Sequence, residues 1–517
     1  MLRLLIPGAL ASVALLSGCQ TPAEQAATYM QQAQALSEAG DQRAALKAMQ
    51  KAIAARDDNA EYFLTLSTIQ MRAGNPGQAF VAARQALDLD SANRTALTLV
   101  ANIGLQVGQV DEATDAAERL LSLDPSSLVG LQVKGLAALY KNKDAEAETN
   151  AQRLLQLSPT DEAGTIIRAR VLAKAQKFEE AIALIDHAMQ QGRTTPAFII
   201  TKINLNRALR RPEEMAKAFE QLRSQVEDPP AKLRLDEINL LYKLGRKDAA
   251  RAATDRYLTS GAGDATDLAA LQRIWSEFDR VPFTRESLQR SAPKWKDPAS
   301  LLGVGRYLLS QNQPQLADDL YFSFREGVRP IGISLHQRAL AGLNHVADAR
   351  AGAEVVLKRD PDDADSLMLR AMFAMQDRNP GLAIEGLQKA IEADPGNPEP
   401  YVALAEVHAR SGDRWRAGQV FEDGLKQLPQ NFLLIERYTR FLHDSGNKSR
   451  AVSVSRAFAR AVPSSVYAWT IMAQQCAWAG DAACATEAAS GRQQAATMYQ
   501  LDDLPGTPKD RGLLGKF

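Results

Sequence analysis

The sequence predicts an all-α chain, a right-handed α-solenoid of about 14 helix-turn-helix repeats with an irregular stretch near the middle. Three observations predict it. Small residues recur every 34 positions, a second ladder of small residues runs twelve positions ahead of the first, and turn-forming residues fall between the two. Composition agrees: 45% hydrophobic and 24% charged residues suit a folded chain, and 6% aromatics with abundant alanine suits closely packed helices. At 517 residues the chain exceeds one ordinary core, so it must divide into domains or extend by repetition.

The main ladder runs through Ala45, Ala79, Ala113, Ala147, Ala181, Met215, Ala249, Phe283 and Ala317 at intervals of 34. It slips by two residues to Ala349, then resumes at 34 through Ala383, Ala417, Ala451 and Ala485. The second ladder is Ala33, Ser67, Ala101, Gly135, Ala169, Gly305, Ala371, Ala405 and Ala473. Between them lie Gly40-Asp41, Gly74-Asn75, Gly108-Gln109, Gly412-Asp413, Gly446-Asn447 and Gly480-Asp481. A glycine past a helix end and an Asp or Asn before the next read as a C-cap followed by an N-cap. Pro125, Pro159, Pro361, Pro395, Pro429 and Pro463 close repeats, because proline lacks an N–H and clashes with the preceding turn. Small residues let the two helices of a hairpin cross closely, and Leu87, Leu89, Leu120, Leu121 and Leu123 are expected to fill the space toward the next hairpin. A lone hairpin cannot bury its apolar face, so neighbours stack.

This pattern resembles the tetratricopeptide repeat over almost the whole chain, most clearly at 60–93, 94–127, 364–397 and 398–431. The centre departs from it. Ile203 meets Met215, and Leu271 meets Phe283, where two small residues are expected, and Pro282 interrupts the second helix near Trp275, Pro293 and Trp295. The resulting expectation is an N-terminal array over 26–261, an irregular helical segment over 262–298 and a C-terminal array over 299–499. The central segment is read as a bend between arrays, as a helical hairpin of non-standard geometry, or as repeat drift with unchanged packing. Two prolines and a glycine after Gln500 end the helical pattern and make 500–517 a flexible tail, with 505–517 either disordered or lying along the last repeat.

The N-terminus reads as an address. Arg3 precedes an apolar run, Leu4 to Ser17, of about 14 residues, too short to span a bilayer. Leu16-Ser17-Gly18-Cys19 resembles the lipobox of bacterial lipoproteins. The resemblance implies a signal peptide over 1–18, acylation (palmitate among the chains) at Cys19 and a linker over 19–25. Gln20 stands where aspartate would imply inner-membrane retention, so the expected location is the outer membrane, facing the periplasm.

The chemistry of the chain is sparse. Its 61 basic and 61 acidic residues balance, which removes the electrostatic ground for nucleic-acid binding. The five histidines show no metal-ligand spacing, and no phosphate loop, dinucleotide fingerprint or nucleophile elbow occurs. The expectation is no enzyme, no cofactor and no metal. Cys476 and Cys484 flank the last turn, where an oxidising compartment allows a disulfide; two buried thiols are the alternative.

The resemblance also implies that first helices line a concave groove. On matching positions that groove would show Arg170, Lys174, Asn204, Arg207, Arg306 and Arg338, then Met368, Met372 and Met375, then Glu406 and Arg410, then Arg440 and His443. The family's lysine–asparagine carboxylate clamp is not supported, since Thr98 and Ile200 stand at the lysine place beside Asn102 and Asn204. A basic stretch followed by methionines suits an acidic or amphipathic peptide or an anionic glycan, and equally a solvated helix face. The functional expectation is therefore a membrane-anchored scaffold that binds envelope proteins. Lipoproteins of this build resemble those of exopolysaccharide export, including the group linked to PEP-CTERM sorting. The alternatives are direct binding of exported polysaccharide and a pilotin-like assembly factor for a pilus or secretion pore.

Overall fold

The computed structural model describes residues 21–191, 194–260, 265–295, 297–324, 327 and 332–502. Cys19 and the signal-peptide reading lie outside these residues, as does the tail beyond Asp502. The described chain is helical throughout, and it divides between Phe198 and Ile199 into two compact units. The first unit holds α1 (Pro22–Glu38), α2 (Gln42–Ala55), α3 (Ala60–Arg72), α4 (Pro76–Leu89), α5 (Arg94–Gln106), α6 (Val110–Leu123), α7 (Leu128–Tyr140), α8 (Asp144–Leu157), α9 (Glu162–Lys174) and α10 (Phe178–Gln190).

The division falls within α11 (Pro196–Ala208). The second unit continues with α12 (Pro212–Gln225), α13 (Ala231–Lys243), α14 (Lys247–Ser260), α15 (Ala265–Phe278), α16 (Arg285–Ser291), α17 (Pro298–Ser310), α18 (Pro314–Ser323) and α19 (Ile333–Gly342). It closes with α20 (Val346–Arg359), α21 (Ala364–Gln376), α22 (Pro380–Ala393), α23 (Pro398–Arg410), α24 (Arg414–Gln427), α25 (Phe432–Asp444), α26 (Lys448–Ala461), α27 (Val466–Ala479) and α28 (Ala482–Ala496).

Odd- and even-numbered helices form the hairpins, and the local chemistry of each turn explains the period. First helices start on a side-chain cap: Asn59, Asn93, Ser127, Asp161, Asp363, Asn397, Asn431 and Ser465 each accept a bond from a main-chain N–H of the first turn. They end on a left-handed residue, Gly40, Gly74, Gly108, Asn142, Gln176, Arg210, Gly245, Asn312, Asn344, Arg378, Gly412, Gly446 or Gly480. At Gly412 the N–H reaches Ala409 O at 3.1 Å and Asp413 N reaches His408 O at 2.9 Å, which satisfies the last carbonyls of α23. The step from Asn312 to Asn344 contains the two-residue slip seen in the alanine ladder.

The small residues meet as expected. Ala33 and Ala45, Ala101 and Ala113, and Ala405 and Ala417 are fully buried, and Ser67 Oγ donates to Ala79 O at 2.8 Å across the crossing. The structure corrects the ladder in places. Ala250, not Ala249, is buried, because one extra residue enters before α13 and moves its turn to Gly245. In the last hairpin Cys476 and Cys484 are fully buried, while Ala473 and Ala485 are only half-buried. Leu120 is buried, but Leu89 and Leu123 are exposed at helix ends.

Residues 262–298, expected to separate two arrays, hold a full first helix, α15, but no full second helix. The chain runs without helix from Asp279 to Thr284, and the short α16 passes into a single 3-10 turn, Ala292–Lys294. Pro282 and Pro293 explain the missing helix. The stretch does not part the core. Trp275, Phe283 and Trp295 fill the space a second helix would occupy, with Trp275 edge-on to Phe283 at 5.3 Å between ring centres, and one apolar cluster runs from Leu235 through them to Ala339. Phe283 thus takes the ladder's place in the core from an extended segment. Of the expected tail only Gln500, Leu501 and Asp502 are described, and Leu501 and Asp502 are seated within the second unit. A proline-glycine signature ends a helix but carries no information about a main-chain contact 265 residues away.

First helices of neighbouring hairpins touch each other, as α5 touches α7 and α23 touches α25, so they line one face of the stack in each unit.

Candidate functional site

The basic residues expected to open onto the concave face are largely spent on their own chain. In the first unit, Lys174 Nζ donates to Asp144 Oδ1 at 2.8 Å, to Asn142 Oδ1 at 3.0 Å and to Leu139 O at 3.4 Å. It ties α9 to the turn of the previous hairpin. Arg170, four residues earlier, is half-buried, and desolvation lowers its pKa. In the second unit, Arg207 bonds Asn204 Oδ1 at 2.8 Å and Asp236 Oδ2 at 3.0 Å.

Arg306 and Arg338 sit deeper. Arg306 bonds Asp365 Oδ2 and Asp394 Oδ2, both at 2.7 Å. Arg338 Nη1 bonds Asp365 Oδ1 at 2.6 Å, and its Nη2 bonds Glu399. The network ties α17, α19, α21, the end of α22 and α23 together. Burial works against the charges of Arg306, Arg338, Asp365 and Glu399, and the partners decide the outcome. The two guanidinium groups outweigh burial at Asp365 and hold its pKa down at about 2. At Glu399 burial prevails over Arg338, and the carboxyl is pushed above its usual range. Paired in this way, Arg306 and Arg338 do not form an open anion-binding surface.

A cavity of about 490 Å³ opens beside this network within the second unit. Gln272, Arg273, Tyr307, Asn397, Gln430 and Phe432 are among its lining residues. Its walls mix amides, a phenol and paired charges.

The methionines divide. Met368 is buried in the core between α21, α22 and α23, contrary to its expected place in the groove: on α21 it lies one turn from Met372, on the side turned into the next hairpin. Met372 is 45% exposed and Met375 half-buried. Together with Ala371, Ala403, Glu406 and Arg410 they line a groove of about 370 Å³ between α21 and α23. Its floor is apolar and its rim carries one acidic and one basic side chain. Farther along, His443 stacks on Trp478 at 4.3 Å, and Arg440 is exposed. At the last turn Cys476 and Cys484 are joined, with Cα atoms 5.5 Å apart. Among the described residues no group of His, Cys, Asp or Glu is arranged to hold a metal ion, and no helix is long and apolar enough to cross a membrane.

The acidic half of the network escapes sequence reasoning. Asp365 and Glu399 are each the second residue of a first helix, where an acidic side chain reads as an ordinary partner of the helix dipole. Asp236, Lys243 and Arg273, which bind the C-terminal segment, give no local signal either.

Residues 338–398 match the family pattern described as tetratricopeptide repeat. No curated protein matches the chain. Solved structures similar to it include a tetratricopeptide repeat protein from Parabacteroides merdae, at 16% identity and TM-score 0.42, covering 48% of this chain and 98% of that one. PilF of Pseudomonas aeruginosa is similar at 20% identity and TM-score 0.32, covering 41% and 96%. PilW, described as a type IV pilus biogenesis factor, is similar at 16% identity and TM-score 0.34, covering 40% and 95%. The chain is thus a stack of helix-turn-helix repeats of tetratricopeptide type, and its residues 338–398 match that family's pattern.

Proposed function

We propose that this chain is a lipid-anchored scaffold of the bacterial outer membrane, facing the periplasm, that holds envelope proteins during assembly of an export system, with exopolysaccharide secretion the favoured setting. The observation that carries the scaffold reading is the α21–α23 groove. An apolar floor of Ala371, Met372, Met375 and Ala403 between Glu406 and Arg410 suits an amphipathic helix, whose apolar face meets the methionines while its charges meet the rim. The anchor rests on Leu16-Ser17-Gly18-Cys19. Direct capture of an anionic polymer loses its main support, because Arg306 and Arg338 already hold three carboxylates.

A photo-crosslinking residue at Met372, compared with one at Trp415 on a second helix, tests the groove in living cells. The Met372 position is expected to capture a component of an envelope export complex that Trp415 does not. Met372→Glu should weaken that contact about tenfold, by placing a charge in the centre of the apolar floor. Equal capture at both positions would remove the groove from the proposal. For the anchor, Cys19→Ala should abolish labelling by a palmitate analogue and release the protein from membranes; retention of both would end that part.

A further inference from the structure

After α28 the chain leaves the helix and runs without regular secondary structure against the first helices α13 and α15. Lys243 Nζ donates to Met498 O at 2.5 Å, to Ala495 O at 2.9 Å and to Ser464 O at 2.8 Å. Asn239 Nδ2 donates to Tyr499 O at 3.2 Å, and Leu501 N donates to Asp236 Oδ1 at 3.0 Å. Arg273 Nη2 donates to Asp502 O at 2.8 Å. Two side chains of the segment are anchored as well. Leu501 packs on the apolar cluster around Trp275, and Asp502 Oδ2 accepts from Ser464 N at 3.0 Å and Ser464 Oγ at 2.6 Å.

Charged and amide side chains here read main-chain atoms, which is how a protein binds an extended peptide with little regard for most of its sequence. The clamp is costly to leave empty. Asp236 is 2% exposed and is held by Arg207 through its other oxygen. Lys243 gives the segment one of its three main-chain bonds, to Met498 O, while Ser464 O and Ala495 O take the others, and desolvation already disfavours its charge. A packing contact alone would not require four polar side chains on two helices to converge on the main chain of one five-residue segment.

We infer that Asp236, Asn239, Lys243 and Arg273 form a peptide-binding clamp that residues 498–502 of the same chain keep filled, and that an extended segment bearing a Leu-Asp pair takes the site when this strap is displaced. The inference is independent of the α21–α23 groove. Selectivity would come from Leu501 and Asp502, the two positions whose side chains are anchored; Met498 is 39% exposed and leaves its position open to other residues.

The test uses the full chain and a labelled synthetic peptide of residues 497–503. Amide hydrogen exchange comes first: the Leu501 N–H of the wild type should exchange at least tenfold more slowly than in the free peptide, and Lys243→Met should remove most of that protection. Fluorescence anisotropy follows. Asp502→Ala, which weakens the strap through Ser464, should bind the peptide at least tenfold more tightly than the wild type does. Adding Lys243→Met should reverse the gain, and a peptide with Ser and Ala at the two anchored positions should not bind. Excess peptide should also speed Leu501 exchange in the wild type. A Leu501 amide that exchanges at the free-peptide rate overturns the inference. So does a protected Leu501 combined with equal, or no, peptide binding by wild type and Asp502→Ala, which would make the strap a fixed part of the fold.

Discussion

Arg338 holds Asp365 across 27 residues of chain, with Nη1 2.6 Å from Oδ1 and the two side chains 6% and 3% exposed. Arg306 approaches the same carboxylate from α17. One carboxylate thus joins three first helices, and its loss would leave two buried cations short of a partner.

Asp365→Asn should lower unfolding stability at neutral pH by about 3 kcal/mol, the usual cost of stripping a partner from a buried ion pair. The effect has a pH signature. The folded pKa of Asp365, about 2, lies below its ordinary value of 3.8. Its stabilisation is therefore complete above the ordinary value and fades as pH falls toward 2. Urea melts of wild type and variant should differ fully at pH 6 and converge near pH 2; a constant difference would contradict the pairing.

The turn positions predict opposite effects for opposite exchanges. Arg378 and Gln176 adopt φ of 59° and 61°, where a Cβ is strained. Arg378→Gly should stabilise by about 0.5–1 kcal/mol, and Gly412→Ala, at φ 86°, should destabilise by about 1 kcal/mol. Thermal denaturation of the two variants side by side checks the sign of each.

Cys476 and Cys484, separated by 8 positions, close the last hairpin. Protein purified from an oxidising compartment should take up no alkylating label until it is reduced, then two per chain by intact mass. Cys476→Ser with Cys484→Ser should cost about 2–3 kcal/mol. Ready alkylation without reductant would show the pair to be thiols.

Trp295 stands where a second helix is missing, buried against Phe283 at 6.0 Å and Phe324 at 5.8 Å between ring centres. Trp295→Ala should cost about 3–5 kcal/mol, as large aromatic truncations do in a core that cannot collapse. The same exchange at Trp415, which is 73% exposed, should change stability by less than about 0.5 kcal/mol. Comparable losses at both sites would mean that the irregular segment is not packed as described.

The sequence by itself determined the fold class, the 34-residue period, the slip before Ala349 and the irregularity around Pro282. These are local matters: a small residue at a crossing, a cap two or three residues from the N–H whose bond it accepts, a proline without an N–H. Tertiary structure decided which charges face solvent. Arg306 and Arg338 look like an open basic stretch because their partners Asp365, Asp394 and Glu399 lie 27 to 88 residues away and meet them only when hairpins stack. It also decided that Met368 is core while Met372 lines the groove, a matter of one helical turn. Most of all it decided the fate of the C-terminal strap, whose hydrogen bonds to α13 and α15 run through main-chain atoms. Every residue carries the same main-chain groups, so no side-chain pattern in the sequence could announce where that segment would lie.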